Sequence, residues 1–443
     1  METKLTYKNI WNVSAPIMLA LIAQNVINVT DTAFLGRVGE VELGASAIAG
    51  IFYVSLYMIG FGFGSGLQIL IARRNGEKNY AEIGSTFDNG FYFLVFLAAA
   101  LILISNIFAP YFFKVTIHSK EIYTASVGFL SYRIWGLLFS FIGTLFRSFY
   151  IGITNTKYLS ISAAIMAIVN VFLDYALIFG HWGMPAMGLK GAAIANVISE
   201  AIATIFFFYI TFTHRELERY NLFKFRKPEF SLIRKTLNIS VFIMFQYFIS
   251  LSGWFAFFLI IEKCGERPLA ISNIIRSIYM VLMIPVWGYC STASSLVSNA
   301  IGSDETRTVI SIIKKITLMS LITAFILVLI IVIFPSQVLG LYTNNLMFIK
   351  DSIPTLYVIA GATIVFSIMM IPFSGVSGTA NTNIALFIET TTIFLYLIAA
   401  LLLANFFSHS IEIIWCAEYI YYIFIGIFSV LYLRFGKWRN KVI

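Results

Sequence analysis

Two carboxylates lie within apolar stretches of the sequence, where an ionisable side chain is rare and energetically costly. Asp31 is near the end of the first apolar stretch, and Asp174 is inside the fifth. Such a group is unfavourable in the hydrocarbon region unless it pairs or faces water, so both positions are functional candidates. Burial and a second nearby carboxylate both disfavour the ionised form. A pair of buried acids therefore favours a proton or a monovalent cation.

Amide side chains accompany both acids. Asn170 precedes Asp174 by four residues, which places the two on one face of a helix. Asn196 is expected about 12 Å along the sixth apolar stretch, at a depth similar to that of Asp174. Carboxylate and amide oxygens are hard ligands that suit a hard cation. We therefore predict a coupling-ion site of Asp31, Asn170, Asp174 and Asn196, with Na⁺ as the only metal ion that it would hold.

A substrate cavity is predicted beside the same acids. Gln24 precedes Asp31 by seven residues, two helical turns away on the same face, and Asn28 lies between them. An organic cation and a coupling ion that need the same carboxylates exclude each other, and this competition couples the two. The predicted lining consists of Gln24, Asn28, Asp31 and Asp174, and no residue is assigned a catalytic role.

Purely structural interpretations remain open for these residues. Asp31 would then be solvated at the outer end of its helix, and Asp174 would form a structural pair within its helix bundle. Asn170 and Asn196 would form hydrogen bonds between helices. Pro16 lacks a backbone N–H, so it either kinks the first helix or is merely tolerated there.

The composition indicates what positions these residues. Of the 443 residues, 59% are hydrophobic and 12% are charged, whereas soluble domains have about 25% charged residues. Apolar stretches recur at the length of about 20 residues that crosses a bilayer. The predicted fold class is an all-α integral membrane protein with about twelve transmembrane helices in two parallel six-helix lobes. The predicted spans are 12–35, 46–71, 86–113, 122–150, 158–180, 188–213, 232–261, 269–299, 310–334, 352–377, 384–405 and 411–434.

Basic residues set the expected orientation of these spans. If the N-terminus is inside, alternate loops hold 21 Lys and Arg residues inside against 7 outside. Cytoplasmic loops carry such an excess, so both termini are expected in the cytoplasm. The same distribution accounts for the net charge of +9 without a nucleic-acid partner.

The sequence also repeats at a constant offset of 226 residues. The patch Gly152–Thr156 recurs as Gly378–Thr382, and two further patches recur at the same offset. Six spans in each half make the repeat parallel, because an even number returns the chain to its starting side. The predicted domains are an N-terminal six-helix lobe (1–213), a cytoplasmic linker (214–231) and a C-terminal six-helix lobe (232–443).

The two acids are not repeated with the scaffold. At the offset of 226, Asp31 falls on Phe257 and Asp174 falls on Ala400. We therefore expect the first half to carry the coupling chemistry. The second half is expected to act mainly as a moving wall.

Two six-helix bundles joined by a linker are typical of secondary transporters, which alternate access to a site between or within the lobes. No Gly-x-x-x-x-Gly-Lys-Ser/Thr phosphate loop is present in the sequence. No nucleophile–base or metal constellation is evident either, so we expect a transporter rather than an enzyme. The energy for transport would come from an ion gradient or from the gradient of the substrate itself. No cofactor is expected.

Four segments of the sequence resemble motifs of a known family. They are Val29–Gly36 at the end of span 1, Gly152–Lys157 between spans 4 and 5, Asn170–Asp174 in span 5 and Gly188–Ala195 at the start of span 6. Together with twelve spans in two halves, they resemble the MATE (multidrug and toxic compound extrusion) transporters, most closely the DinF-type branch. The resemblance covers essentially the whole chain.

The resemblance implies roles for individual residues. Asp31 matches the span-1 acid that is protonated in proton-coupled members, and Gln24 matches a cavity-lining glutamine. Pro16 matches the span-1 proline that is associated with bending. Asn170 and Asp174 match the span-5 pair that completes the first-lobe cation site.

Two departures from the family pattern bear on the coupling ion. Asn196 stands where relatives carry Thr, so the geometry of the site and the choice between H⁺ and Na⁺ are left open. The second-lobe acids of the NorM-type branch have no clear match, although Glu262 and Glu389 are present. This absence supports coupling in the first lobe.

The expected function is that of a cation-coupled (H⁺ or Na⁺) antiporter that exports amphipathic, cationic organic compounds by alternating access, as in multidrug efflux. The alternative is a lipid-linked oligosaccharide flippase of the same superfamily, whose cavity would be strongly cationic. Only Arg133 and Arg276 are clear mid-span cations, and Arg276 and Glu389 are candidates for a buried structural pair in the second lobe. We expect a monomer in the bacterial inner (plasma) membrane that contacts lipids and binds no nucleic acid.

Overall fold

Long helices joined by short turns make up the first half of the chain. The computed structural model describes residues 6–225, 227–407, 410–439 and 441, so the predicted domain limits at residues 1 and 443 lie outside the described residues. The helices of the first half are Tyr7–Val38 (α1), Glu40–Gly76 (α2), Tyr80–Thr116 (α3), Lys120–Arg133 (α4), Gly136–Gly152 (α5), Lys157–Phe179 (α6) and Leu189–Thr213 (α7).

The second half follows the same plan. A short 3-10 turn, Arg215–Tyr220, precedes it, and another, Thr306–Thr308, lies within it. Its helices are Phe230–Glu262 (α8), Glu266–Gly302 (α9), Val309–Ile333 (α10), Pro335–Gly340 (α11), Leu346–Gly378 (α12), Thr382–Phe406 (α13), Ile411–Trp415 (α14) and Ala417–Phe435 (α15).

The number of spans confirms the predicted fold class. The described part of the chain holds eleven helices that are long and apolar enough to cross a membrane. Helices α4 and α5 together make a twelfth span, which is bent by 48° at the short break between them. The chain is therefore an all-helical, multi-pass membrane protein.

The chain divides into two compact units. One unit is Ala15–Ser240, and the other is Met1–Ser14 with Val241–Ile443. The sites described below each lie within one of these units. The predicted lobe and linker limits at residues 213 and 231 stay predictions.

The repeat is visible in the helix limits. Helices α2 and α9 have 37 residues each, and both their starts and their ends differ by the predicted offset of 226. The turns after them match as well, because Lys78 and Asp304 have φ angles of 59° and 61°. Further on, Thr154 and Ala380 have φ angles of 59° and 66°. The two halves thus share left-handed turns at positions where the side chains differ.

A close helix contact is also repeated. A Cβ atom on Gly152 would lie 3.2 Å from the carbonyl oxygen of Gln68, and one on Gly378 would lie 2.5 Å from that of Ser294. Gln68 and Ser294 are themselves separated by the offset of 226. Small residues allow such close approach of helix backbones within a membrane. The glycines of the repeated patch therefore set how closely spans 2 and 4 pack in each half.

The segment after α7 is fixed to the start of α3. The buried carboxylate of Asp88 accepts hydrogen bonds from the backbone N–H groups of Phe223, at 2.8 Å, and Phe225, at 3.1 Å. Phe223 and Phe225 both have positive φ angles, 58° and 42°. Successive N–H groups in such a conformation form a concave anion-binding nest. Asp88 therefore holds this part of the linker in a strained path against the first unit.

Candidate functional site

The predicted coupling-ion residues are carried by three helices of the first unit. Asp31 is on α1, Asn170 and Asp174 are on α6, and Asn196 is on α7. Helices α6 and α7 approach closely at Gly191, where a Cβ atom would lie 2.6 Å from the carbonyl oxygen of Leu177. Asp31 is the residue that connects the two helices at the site, because Asn196 of α7 bonds to it and Asp174 of α6 lies close to it.

Asn196 connects the site to α1. Its Nδ2 atom donates hydrogen bonds to Oδ2 of Asp31 at 2.8 Å and to the backbone oxygen of Ala192 at 3.0 Å. Both amide hydrogens are used in this way, so the side-chain oxygen remains as an acceptor or a cation ligand. The amide thus anchors one carboxylate and leaves an oxygen for the ion.

Several polar atoms of the site have no hydrogen-bond partner among the described residues. They are Oδ1 of Asp31, both carboxylate oxygens of Asp174, and the amide oxygen and nitrogen of Asn170. Asp174 and Asn170 are completely buried. A buried polar atom without a partner costs about 1–3 kcal/mol. Such a concentration of unpartnered oxygens is what a site for a proton or a monovalent cation requires.

The two acids face each other. The carboxyl groups of Asp31 and Asp174 lie within hydrogen-bonding and electrostatic range. Two ionised carboxylates cannot donate to each other, so this contact becomes a hydrogen bond only when one of them carries a proton. A monovalent cation between them would relieve the same repulsion. The pair therefore has a chemical reason to take up one positive charge.

The predicted substrate-facing residues lie on α1 rather than in the buried part of the site. Gln24 and Asn28 are exposed, and Asp31 is half-buried. Asp174 is buried behind Asp31, so a ligand approaching from the exposed face of α1 would meet Asp31 first. Pro16 lies inside α1, which is continuous from Tyr7 to Val38. The cavity lining and the bend at Pro16 stay predictions.

The same unit holds an ion pair that the sequence pattern does not reveal. Arg133 donates to both carboxylate oxygens of Glu200, at 2.6 Å and 3.0 Å. The guanidinium lies 3.7 Å from the centre of the Tyr53 ring and is within electrostatic range of Asp31. The only indication of this pair in the sequence is that Arg133 and Glu200 carry opposite charges and both lie within apolar stretches. Because 67 residues separate them, periodicity could not pair them.

The candidate ion pair between Arg276 and Glu389 in the second unit is not formed among the described residues. Glu389 instead accepts a hydrogen bond from Ser250 at 2.6 Å and another from the hydroxyl of Tyr421. The guanidinium of Arg276 lies over the Phe258 ring, 5.1 Å from its centre. The neighbouring helices supply neutral hydroxyl donors to the Glu389 carboxylate. Sequence spacing alone does not reveal these donors.

A family model matches both halves of the chain. The MatE model matches residues 16–176 and again residues 243–402. Together these segments make up more than half of the chain. The two matches are separated by about the repeat offset that the sequence shows.

Curated relatives match along most of the chain. The probable multidrug resistance protein NorM of Thermotoga maritima is 22% identical over 444 residues, which cover 98% of this chain and 94% of that protein. The protein of the same name from Pasteurella multocida is 25% identical, over 77% of this chain and 74% of its own. The branch within the family stays a prediction.

Solved structures share the fold. An outward-facing multidrug resistance MATE family transporter of the MOP superfamily aligns with a TM-score of 0.90 at 16% identity, covering 98% of this chain and 97% of that one. A MOP superfamily transporter from Pyrococcus furiosus, described as having a binding pocket of reverse polarity, aligns with a TM-score of 0.89 at 16% identity, over 97% and 95% of the two chains.

Proposed function

This chain belongs to the MatE family of secondary transporters, which are not enzymes, and on this premise we propose that it is a multidrug efflux antiporter. It would export amphipathic organic cations in exchange for H⁺ or Na⁺. The names of its relatives, multidrug resistance proteins, support organic compounds as the substrates. The transporter needs no cofactor besides its coupling ion.

The proposed coupling rests on the cluster of Asp31, Asp174 and Asn196. Asp31 and Asp174 face each other with several oxygens that have no partner among the described residues. One proton or one sodium ion compensates one of the two negative charges and relieves the repulsion between the acids, and Asn196 supplies an amide oxygen. Asn170, one helical turn from Asp174, adds a further oxygen ligand.

Exchange follows from the difference in burial between the two acids. Asp174 is completely buried, whereas Asp31 is half-buried. An organic cation reaching Asp31 removes the negative charge that holds the coupling ion at the pair. Conversely, ion uptake removes the charge that holds the organic cation. Gln24 and Asn28, exposed on α1, would contact the substrate beside Asp31.

Alternating access is the motion that we propose for this exchange. Parallel repeats of six helices are common in transporters that rock one half against the other. A bend of α1 at Pro16, where a backbone hydrogen bond is missing, would change the surroundings of Asp31. We propose that the protein is a monomer in the bacterial inner membrane. Both termini would be cytoplasmic, because basic residues are concentrated in alternate loops.

The flippase alternative is not favoured. A lipid-linked oligosaccharide carries pyrophosphate, which requires unneutralised cations in the cavity. Arg133 is neutralised by Glu200, and the guanidinium of Arg276 lies against the Phe258 ring. Of the two mid-span cations only Arg276 has no salt bridge among the described residues, and one such cation does not make the strongly cationic cavity that a pyrophosphate requires.

The test is transport by the purified protein in liposomes. Sodium and proton gradients would be imposed separately while the flux of a fluorescent organic cation is followed. We expect one gradient to drive flux in the wild type, and Asp31→Asn and Asp174→Asn to abolish it. Asp304→Asn, the same substitution in an exposed turn, is the matched control. Normal flux in both site variants would reject the proposed coupling site.

A further inference from the structure

A second buried acid lies in the second unit, outside the site described above. Glu418, the second residue of α15, is 1% exposed. Its carboxylate accepts a hydrogen bond from the hydroxyl of Tyr396 at 2.9 Å and a longer one from that of Tyr279 at 3.4 Å. The hydroxyls of Tyr279 and Tyr422 are 2.8 Å apart. One carboxyl and three phenols therefore form a single buried cluster.

This cluster occupies the counterpart of the coupling-ion site in the repeat. At the offset of 226, Tyr396 corresponds to Asn170 and Tyr422 corresponds to Asn196. Glu418 corresponds to Ala192, whose carbonyl accepts the hydrogen bond of Asn196 in the first unit. The second half has thus lost the two aspartates but has an acid in the same neighbourhood, contributed by its last span.

The charge balance of the cluster favours a proton. Within the described residues, no Lys, Arg or His forms a salt bridge with Glu418. Nearby ionisable groups are the phenols of Tyr419 and Tyr421 and the acid Glu389, which is bonded to Tyr421. Arg276 lies one turn before Tyr279 on α9, with its guanidinium over the Phe258 ring. An ionised carboxylate buried without a cation is strongly disfavoured, and neutral hydroxyls compensate only in part. A proton on Glu418 removes that cost.

The hydroxyl of Tyr279 can serve both protonation states of Glu418 without movement of heavy atoms. Each phenol has one hydrogen to donate. When Glu418 is ionised, Tyr396 and Tyr279 donate to it and Tyr422 donates to Tyr279. When Glu418 is protonated, it donates to Tyr279, and the hydrogen of Tyr279 turns to Tyr422. Only hydroxyl rotations separate the two arrangements.

We propose that Glu418 is a proton-binding site of the second half, served by the hydroxyls of Tyr279, Tyr396 and Tyr422. Uptake forms one O–H bond on the Glu418 carboxyl, and release returns that proton to water. The assignment does not depend on which residues bind the coupling ion in the first half. It gives the second half a chemical role beyond that of a moving wall.

Infrared difference spectroscopy between acidic and alkaline pH tests this assignment directly. The protein would carry Asp31→Asn, Asp174→Asn and Glu389→Gln, so that these three carboxyls do not contribute. We expect the C=O band of a protonated carboxylic acid, which shifts in D₂O and disappears as the pH rises. Glu418→Gln should remove this band, and Glu412→Gln, the same change six residues earlier, should leave it in place. Equal bands in both variants would overturn the proposal.

A second variant keeps the test decisive if Glu418→Gln does not fold. Tyr396→Phe retains the carboxyl and deletes the hydroxyl at 2.9 Å from it. The C=O band should then shift to higher frequency, because its carbonyl loses a hydrogen bond. An unshifted band shows that the titrating acid is not Glu418. Loss of organic-cation flux in the single variant Asp31→Asn would concern only the proposed coupling-ion site of the first half. It would not change the conclusion that is drawn from the C=O band of Glu418.

Discussion

Arg133 and Glu200 neutralise each other inside the first unit, within electrostatic range of Asp31. Their contact is bidentate, and both side chains are 12% exposed. A fork-shaped contact of this kind fixes the guanidinium plane as well as its position. The proposed coupling-ion site therefore lies beside a guanidinium whose charge is already compensated by its own carboxylate.

We expect Glu200→Gln to destabilise the protein by about 3–5 kcal/mol, because it leaves a buried guanidinium without its partner. The double variant Arg133→Gln with Glu200→Gln should recover much of that loss. The measurement is thermal unfolding in detergent, followed by tryptophan fluorescence. Arg267→Gln should cost no more than about 1 kcal/mol, because its pair with Asp351 is exposed. A single variant as stable as the wild type would contradict the assigned pair.

Gly136 allows this ion pair to form at the break between α4 and α5. A Cβ atom there would lie 2.5 Å from Oε2 of Glu200 and would also overlap Arg133. We expect Gly136→Ala to cost about 1–3 kcal/mol through overpacking. Gly143→Ala, on the same helix with nothing within 4 Å of its Cβ, should be neutral or stabilising. Equal unfolding temperatures for the two variants would show that the break does not depend on Gly136.

Asn196 should control the strength of ion binding. Asn196→Ala removes the hydrogen bond to Asp31, and a bond to a charged group is worth about 1.5–3 kcal/mol. For Na⁺, which needs the ionised carboxylate and the amide oxygen, we expect the affinity to fall about tenfold or more. For H⁺ we expect the affinity to rise, because the deleted bond favours the ionised form of Asp31. Asn196→Thr restores an oxygen at this position and should lose less. The measurement is the ion concentration that gives half-maximal organic-cation flux, and an unchanged value in Asn196→Ala would count against the site.

Asp88 should hold the linker in place. Asp88→Asn replaces one carboxylate oxygen with an NH₂ group that cannot accept from Phe223 or Phe225, so the strained turn should open. Limited trypsin digestion should then cleave after Lys224 several-fold faster than in the wild type. Asp304→Asn, in an exposed turn, is the control. Unchanged cleavage would mean that aromatic packing of Phe223 alone fixes the segment.

The spans were predictable because hydrophobic length is a local property. The ends of the helices were less predictable than the spans. Helix α2 begins at Glu40, six residues before the predicted span, because a helix continues beyond the hydrocarbon into polar sequence. The break between α4 and α5 was missed entirely, since the predicted span 122–150 runs through it. No proline marks the break, and the ion pair beside it joins residues that are distant in sequence.

The site was predictable to the extent that depth along a helix can be counted. Asp174 and Asn196 were expected at one level, and their helices do bring them to the same cluster with Asp31. The tyrosine cluster around Glu418 could not be anticipated, because the sequence repeat directs attention to Phe257 and Ala400. The acid of the second half lies on a different span from those of the first.

The left-handed turns at Lys78 and Asp304 show that the repeat is a repeat of the main chain. One position carries a cation and the other an anion, yet both hold the same unfavourable backbone conformation. The two halves therefore agree more closely in this backbone angle than in the side chains that it presents.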